Sequence, residues 1–274
     1  MLNITQPTLS GQVKELESRY GTKLFVRHGR HIELTDIGRA AFNITRQLFR
    51  YEEEVEQLLL SARALTSGNL RVGADSPYIA TPLLAQFQRL YPGIQISIQY
   101  GNSQQLMSWL LSRRCDVAFL PNIPPEDEQL FAIQLAPGRL VAFVSEDHEW
   151  AERRSVTLAD VVSQRVVLRE KGSRTRSIFE DAVADAGQLL DNVMEISGRE
   201  GVREAVAAGF GVGIVAESEL RADPRLHALR VSDAELLHAE CVVCLDENRK
   251  LRVTDAFLEM VSARQPASAD RQVE

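Results

Sequence analysis

The feature that most constrains this fold is the repeated alternation of apolar strand segments and amphipathic helix segments after residue 70. The first run is strand 70–74, helix 78–91, strand 94–100, helix 104–112 and strand 117–120. The second run is strand 166–168, helix 174–186, strand 193–196, helix 201–208 and strand 212–215. Because a βαβαβ order places helices on both faces of a parallel sheet, each run predicts one α/β lobe.

Two further apolar segments, 141–144 and 240–245, are placed to cross between these lobes, and a final helix is predicted at 251–263. We therefore expect one two-lobed domain over 68–264. Its predicted lobes are 68–143 plus 239–264 for the first and 144–238 for the second. Residues 265–274 are polar and predict a disordered tail.

Composition excludes several classes of protein. The chain has 274 residues, of which 45% are hydrophobic and 25% charged, which is typical of a globular rather than a disordered or fibrous protein. It has no run of 18 apolar residues and no charged-then-apolar leader, so we expect a cytoplasmic protein without a membrane partner. Its three cysteines are typical of a protein from a reducing compartment. Cys241 and Cys244 face opposite sides of a predicted strand, so core packing is favoured over a redox pair.

Charge is distributed unevenly along the chain. Residues 1–50 carry eight Lys or Arg and four Asp or Glu, a net charge of +4. Because the whole chain carries -7, the other 224 residues carry -11. A basic head on an acidic body favours a module that binds a polyanion, joined to a domain of another kind.

The basic head begins with a predicted helix over 4–20, with Thr5 as its N-cap. An apolar stripe runs along it at helical spacing, made by Leu9, Val13, Leu16 and Tyr20. The residues off the stripe are mostly short and polar, as suits a helix that reads bases or phosphates in a major groove. The candidate DNA-binding residues here are Gln6, Pro7, Thr8, Ser10, Gln12 and Lys14. A polar face turned to solvent is the alternative interpretation.

A short basic hairpin follows the helix. Gly21 ends the helix, and residues 26–34 predict two strands that turn near Gly29. Arg27 and Arg30 lie in this hairpin and are further candidate DNA contacts. A helix followed by a basic hairpin is typical of the second half of a winged helix-turn-helix, with the wing beside the minor groove.

A long helix is predicted from Thr35 to Ser67. Its apolar positions repeat with alternating spacings of four and three residues, at Ile37, Ala41, Ile44, Leu48, Tyr51, Val55, Leu58, Ala62 and Leu65. A seam of this kind over four heptads predicts a dimeric coiled coil. An amphipathic helix that packs on its own domain is the alternative.

These motifs together resemble the LysR-type transcriptional regulators. The resemblance runs through TQPTLSGQVKELESRYGTKLFVRHGRHIELTDIGRAAF at residues 5–42 and through AGFGVGIV at 208–215. Gly11 departs from the family pattern, which usually has a basic residue there. A narrower resemblance points to regulators linked to aminoethylphosphonate breakdown.

The resemblance implies an α/β protein with a partial winged helix-turn-helix at 1–34, a dimerising linker helix at 35–67 and an effector domain like the type 2 periplasmic binding proteins. Its implied partners are double-stranded DNA, a second copy in a homodimer or homotetramer, and a small-molecule effector. RNA polymerase is a further candidate partner.

The family also has about two helices before the segment that starts here. We therefore expect a truncated or mis-started chain whose apolar stripe on the first helix lacks its usual cover. A truncated product that retains only dimerisation and ligand binding is accordingly a second functional hypothesis.

In open α/β folds, ligands bind at the carboxyl ends of the strands. Four loops meet this condition, and they supply as candidate effector-binding residues Ser76, Tyr78, Asn102, Ser103, Ser173, Arg174, Thr175, Ser197 and Arg199. Helix capping explains each serine taken alone. With Arg169, Arg174, Arg176 and Arg199 nearby, the set predicts a pocket for a carboxylate, phosphate or phosphonate.

Catalytic and metal patterns are absent from the sequence. It contains no H-E-x-x-H, G-x-S-x-G, P-loop or zinc-ligand spacing, and its five histidines are scattered. We therefore expect no enzyme activity, no cofactor and no metal site. A small-molecule enzyme or a solute-binding protein of the same fold is a third hypothesis, because fold alone does not determine function.

Overall fold

A computed structural model of the chain describes residues 6–28, 31–60, 67–122, 128–220 and 223–264. The chain divides into two compact units, 1–62 and 63–274. Several predicted features lie outside the described residues: the Thr5 cap, Gly29, Arg30, Ala62, Leu65 and the tail at 265–274. The side chains of Arg27 and Leu58 also lie outside the described part.

The first unit has the predicted order of helix, hairpin and helix. Helix α1 is Gln6–Tyr20, strands β1 and β2 are Phe25–His28 and His31–Leu34, and helix α2 is Asp36–Leu60. The two strands pair antiparallel, with Phe25 opposite Leu34. The helix and the wing predicted from the basic head are therefore confirmed as secondary structure.

A buried carboxylate fixes the turn between α1 and the wing. Glu17 accepts hydrogen bonds from the backbone N–H groups of Leu24 and Phe25 at 2.8 and 3.2 Å. It also pairs with Lys23 at 2.9 Å, and these contacts lower the pKa of the Glu17 carboxyl. The sequence motif contains Glu17, but the sequence alone did not reveal this role.

The start of α2 explains the L-T-x-x-G part of the motif. The Thr35 hydroxyl accepts a hydrogen bond from the Gly38 N–H at 3.0 Å, as expected of an N-cap residue. A Cβ atom at Gly38 would clash with the Leu24 carbonyl oxygen. Glycine at this position thus lets the first turn of α2 pack against the backbone of Leu24, which lies between α1 and β1.

Apolar side chains remain exposed on both helices of the first unit. Leu9 and Leu16 on α1 are each 47% exposed, so the described part of this unit does not cover the predicted stripe. On α2, the seam residues Ile44 and Leu48 are 66% and 64% exposed. Phe42 and Phe49, which lie one position beyond the predicted seam, are exposed as well, so the uncovered face of α2 is wider than predicted.

The second unit contains the strands β3 Gly68–Ala74, β4 Ile94–Tyr100, β5 Val117–Pro121, β6 Leu130–Ala136, β7 Leu140–Ser145, β8 Ser155–Val156, β9 Val166–Arg169, β10 Val193–Ile196, β11 Val212–Ala216, β12 Leu226–Val231 and β13 Glu240–Leu245. Its helices are α3 Pro77–Leu90, α4 Ser103–Leu111, α5 Leu158–Ser163, α6 Arg174–Asp185, α7 Arg199–Ala207 and α8 Arg252–Ser262. The two-lobed α/β prediction is confirmed, with one sheet in each lobe.

The sheet of the first lobe has the order β4-β3-β5-β13-β6. Strand β3 runs parallel to β4 and β5, whereas β13 is antiparallel to β5 and β6. The chain enters β13 from the second lobe at Glu240, opposite Pro121 at the carboxyl end of β5. A strand that enters at that edge must run against β5, so the sheet is mixed and not entirely parallel as predicted.

The sheet of the second lobe has the order β10-β9-β11-β7-β12-β8. The sequence placed 141–144 as a crossing strand and the first lobe boundary near 143. That placement is wrong, because all of β7 pairs within the second sheet, with β11 and β12. A fully apolar strand is compatible with either lobe, so its pattern alone could not locate it.

Each lobe has its own core. In the first lobe the Phe257 ring contacts Phe87 edge-on, with their centroids 5.2 Å apart. Cys241 and Cys244 form no disulfide and are buried in different core clusters, which confirms the packing role predicted for them. Within the described residues, no helix is both long and apolar enough to cross a membrane.

The exposed face of α2 leads to a prediction about oligomeric state. We expect Leu48→Glu to shift the chain towards monomer, because it places a charge in an apolar dimer seam. Sedimentation equilibrium at micromolar concentration measures this shift. Asn43→Glu, which adds the same charge at an exposed position off the seam, is the matched control and should leave the association unchanged. A monomeric parent chain would contradict the coiled-coil interpretation.

Candidate functional site

The candidate DNA-binding face lies on α1. All six residues predicted on this helix are exposed in the structure: Gln6, Pro7, Thr8, Ser10, Gln12 and Lys14. A Cβ atom at Gly11 would meet no other atom within 4 Å, so packing does not require this departure from the family pattern. Arg27 lies in β1 opposite Ile32 of β2, which places it in the wing.

The candidate effector site is a cleft of about 330 Å³ between the two lobes. The first lobe contributes the start of α4 and the end of β5, and the second lobe contributes the start of α6. The lining residues are Ser103, Gln104, Met107, Leu120, Pro121, Asn122, Gly172, Ser173, Arg174 and Ser177. Of the predicted effector residues, the structure thus brings Ser103, Ser173 and Arg174 together.

Two of the remaining predicted residues act as helix caps. The Ser76 hydroxyl accepts a hydrogen bond from the Tyr78 N–H at 3.3 Å at the start of α3. Asn102 forms a capping box with Gln105 at the start of α4, with both hydrogen bonds at 3.0 Å. Capping, which was the simpler explanation, therefore accounts for the placement of Ser76 and Asn102.

Ser173 differs from these caps. It directly precedes α6, yet its side chain makes no capping hydrogen bond. The side chain is buried and lines the cleft. Its hydroxyl is therefore not used to cap the helix and lies at the cleft.

The N-termini of α4 and α6 meet across the cleft. The Arg174 N–H donates a hydrogen bond to the Ser103 hydroxyl at 3.3 Å, and the Gln104 N–H donates one to the Gly172 carbonyl at 3.1 Å. Gly172 has φ of +91°, and a Cβ atom there would lie 2.7 Å from the Gln104 side-chain oxygen. Two positive helix ends at one cleft favour a negatively charged ligand.

Arg174 is the charged side chain of this cleft. No other residue in the lining described above is charged. Its Nη1 reaches the Ser177 hydroxyl at 3.4 Å, and its Nε is buried without a hydrogen-bond partner among the described residues. The guanidinium therefore retains donors for a ligand in a lining that contains no competing carboxylate.

The other predicted arginines are already paired with carboxylates. Arg169 pairs with Glu170 at 2.9 Å, and Arg176 pairs with Glu180 at 2.7 Å. The prediction of one four-arginine anion pocket is therefore wrong, because local acids neutralise these side chains and leave the cleft with Arg174.

Arg199 is the largest departure from the predicted site. It is 7% exposed, and its Nε lies 2.8 Å from a carboxylate oxygen of Glu219. Its Nη1 donates to the backbone carbonyl of Asp75 at 2.9 Å, and its Nη2 lies 3.5 Å from the Asp75 carboxylate. Arg199 therefore joins the two lobes and does not line the cleft.

The remaining predicted residues also lie away from the cleft lining. Thr175 is a buried residue of α6, and Ser197 is exposed ahead of α7. Tyr78 donates its hydroxyl hydrogen to the Glu200 carboxylate of the other lobe, at 3.1 and 3.2 Å to its two oxygens. Tyr78 is thus a contact between lobes.

The segment Leu120–Asn122 lines the cleft but was not predicted from the sequence. This segment lies at the carboxyl end of β5, and the rule that located the loops after β3 and β4 applies equally to it. Its residues supply apolar surface and an amide but no serine, whereas each of the four predicted loops contains a serine. Met107 and Ser177, which lie one helical turn into α4 and α6, were missed because helix-interior positions gave no separate signal.

The different environments of Arg199 and Arg174 lead to a stability prediction. We expect Arg199→Ala to lower the free energy of unfolding by about 3–5 kcal/mol, because it leaves buried carboxylates without their cation. Arg174→Ala, the matched change at the first residue of the neighbouring helix, should cost less than about 1 kcal/mol. Urea denaturation of both variants measures the difference, and equal losses would contradict it.

Comparison with known proteins agrees with this architecture. Residues 63–266 match the LysR substrate binding domain, and residues 1–39 match the bacterial regulatory helix-turn-helix protein, lysR family. A RuBisCO operon transcriptional regulator of Allochromatium vinosum is 30% identical over 236 residues, which cover 85% of this chain and 78% of that protein.

Solved structures show the same fold. The full-length regulator CbnR in complex with its target DNA superposes with a TM-score of 0.70 at 20% identity, covering 96% of this chain and 91% of that one. The regulatory domain of CcmR from Synechocystis PCC6803, in complex with 2-PG, gives a TM-score of 0.65 at 23% identity, covering 72% of this chain and 97% of that one. Since the two LysR matches together span most of the sequence, this chain belongs to the LysR family of DNA-binding transcriptional regulators.

Proposed function

We propose that this LysR-family regulator senses a small anionic effector in the cleft between its lobes, with Arg174 as the charged partner. The observation that carries the proposal is the convergence of two helix N-termini and one arginine in a lining without a carboxylate. The likeness to the CcmR regulatory domain, which was solved with the anion 2-PG, supports this chemistry. The relatives are transcriptional regulators, and we propose that this chain likewise catalyses no reaction.

The lining also indicates the form of the effector. The hydroxyls of Ser103 and Ser173 and the Arg174 guanidinium can hold an oxyanion from both lobes. Met107, Leu120 and the adjoining proline offer apolar surface for the rest of the molecule. A cleft of about 330 Å³ lies at the small end of ligand pockets, so the proposed effector is a small organic acid or phosphate ester.

The division of labour along the chain is also a proposal. We assign DNA reading to residues 1–34, dimerisation to 35–67 and effector binding to 68–264, with the first crossing between lobes placed before Leu140. Double-stranded DNA and a second copy of the chain are the proposed partners. RNA polymerase and the link to aminoethylphosphonate breakdown stay predictions from family resemblance.

The effector proposal predicts the effect of removing the guanidinium. We expect Arg174→Ala to weaken binding of 2-PG or inorganic phosphate about ten-fold or more, because a charge-assisted hydrogen bond contributes about 1.5–3 kcal/mol. Titration calorimetry at constant ionic strength measures it. Arg165→Ala, which removes an exposed arginine of the same lobe, is the control. Equal affinity in both variants, or tighter binding of neutral ligands than of anions, would refute the anion site.

The DNA proposal predicts different effects for two kinds of residue on α1. We expect Gln6→Ala to lose about 1–3 kcal/mol of discrimination between the preferred site and a scrambled one, as a base contact does. Lys14→Ala should weaken binding to both DNAs and lower the salt slope by about one, as a phosphate contact does. Gel-shift titration against a site selected from random DNA measures both. Unchanged binding in both variants would mean that this face is turned to solvent.

A further inference from the structure

A cluster of three buried carboxylates lies where the chain passes between the lobes. Asp75 follows β3 of the first lobe, Glu219 follows β11 of the second lobe, and Glu240 begins β13, where the chain returns to the first lobe. One carboxylate oxygen from each lies within 4.8 Å of the others. We call these three residues, with Arg199 and His238, the hinge cluster.

The hinge cluster contains acceptors that lack donors. Glu219 is 0% exposed and Glu240 is 5% exposed. Neither oxygen of Glu240 has a hydrogen-bond partner among the described residues, and the same is true of Asp75 Oδ1. A buried polar atom without a partner costs about 1–3 kcal/mol, and more when it is charged. Glu240 and Asp75 Oδ1 therefore still require a hydrogen-bond donor, whereas the Ser76 hydroxyl bonds to Glu219.

The imidazole of His238 points at the same place. Its Nε2 lies 3.8 Å from a carboxylate oxygen of Glu240, too far for a hydrogen bond, and the residue is 2% exposed. Burial lowers the pKa of His238 to about 4, so this ring is neutral at physiological pH. His238 thus adds no positive charge to the cluster.

Arg199 is the cation in contact with these carboxylates, and three carboxylates outnumber it. The other charged side chains that act on the cluster come from three different elements: Arg169 on β9, Arg174 on α6 and Glu200 on α7. Burial raises the pKa of Glu219 to about 7 and that of Glu240 well above its usual value, although Arg199 opposes both shifts. One further positive charge that carries a hydrogen-bond donor would reduce this excess of negative charge and supply a missing donor.

We propose that this charge is a proton held by Glu240, whose O–H donates a hydrogen bond to the neighbouring carboxylates, and that it holds the two lobes together at the hinge. A protonated carboxyl loses its negative charge and gains an O–H donor that a neighbouring carboxylate can accept. Carboxylates in close contact share a proton for this reason. A metal ion is disfavoured, because it would lie beside the Arg199 guanidinium, which is already 2.8 Å from Glu219.

The proton gives the hinge a pH dependence of defined sign. A carboxyl whose pKa is raised on folding stabilises the folded state fully below its ordinary pKa, and this stabilisation is lost as the pH rises through the raised value. For Glu219 the loss extends from its ordinary value of 4.5 to about 7, and the raised pKa of Glu240 gives a loss of the same sign. We therefore expect the contact between lobes to be tighter in mildly acid than in alkaline solution.

Thermal unfolding of the full chain between about pH 5 and about pH 9 tests the proposal. The Glu240→Gln variant keeps the shape of the side chain and a hydrogen-bond donor but cannot titrate. From the acid to the alkaline end of this range, we expect the unfolding midpoint of the parent chain to fall by about 5 °C more than that of the variant. Glu217→Gln, an exposed change on the same 3₁₀ turn as Glu219, is the matched control and should keep the parental slope. Equal slopes in the parent and in Glu240→Gln would overturn the proposal.

A second measurement does not require the variant to fold well. Infrared spectroscopy of the parent chain at neutral pH should show the C=O stretch of a protonated carboxylic acid that disappears in alkaline solution. Absence of this band would overturn the proposal. The proposal would also be overturned if Mg²⁺ or Mn²⁺ raised the unfolding midpoint in alkaline solution and a chelator reversed this rise. That result would identify the occupant of the cluster as a metal ion.

Discussion

The buried guanidinium of Arg199 is the interaction on which the second unit depends most. It extends from α7 of the second lobe to the carbonyl and carboxylate of Asp75 in the first, and it also pairs with Glu219. A buried charge is tolerated only with a partner of opposite sign, so these groups must stay together in the folded state. The contact of Tyr78 with Glu200, also across the lobes, is a hydrogen bond nearer the surface. The geometry of the cleft therefore depends on a hinge held by charge.

Arg174 and Arg199 show how far sequence reasoning could go at the candidate site. Both are the first residue of a helix that follows a strand of the same sheet, so the sequence presents them as equivalent. Their difference comes from residues distant in the chain: Asp75 is 124 residues from Arg199. The helix starts and the loops at the strand ends were predictable from local signals. Which arginine remained available to a ligand depended on tertiary contacts that no local pattern contains.

In the fold, too, features set by local sequence signals were predictable and features set by tertiary contacts were not. The hairpin after α1, the Thr35 cap and the two-lobed order were predictable, because turn residues, caps and hydrophobic periodicity are local. The position of β7 was not, since six consecutive buried residues show no face that would assign the strand to one lobe. Strands β6, β8 and β12 were missed for a related reason. They are short or only partly buried, and they exist because a neighbouring strand pairs with them.

The cleft and the hinge cluster are linked through the same two lobes. Arg174 and Ser103 meet across the cleft, while Arg199 and Asp75 meet at the hinge, so any change in the angle between the lobes alters both contacts. If an anion at Arg174 favours the closed arrangement, and a proton at Glu240 favours the same arrangement, each must raise the affinity for the other by the same factor. Effector binding near neutral pH would then be accompanied by proton uptake. A cleft that closes independently of the hinge cluster would show no such uptake, because its ligand would not distinguish the protonated from the ionised state.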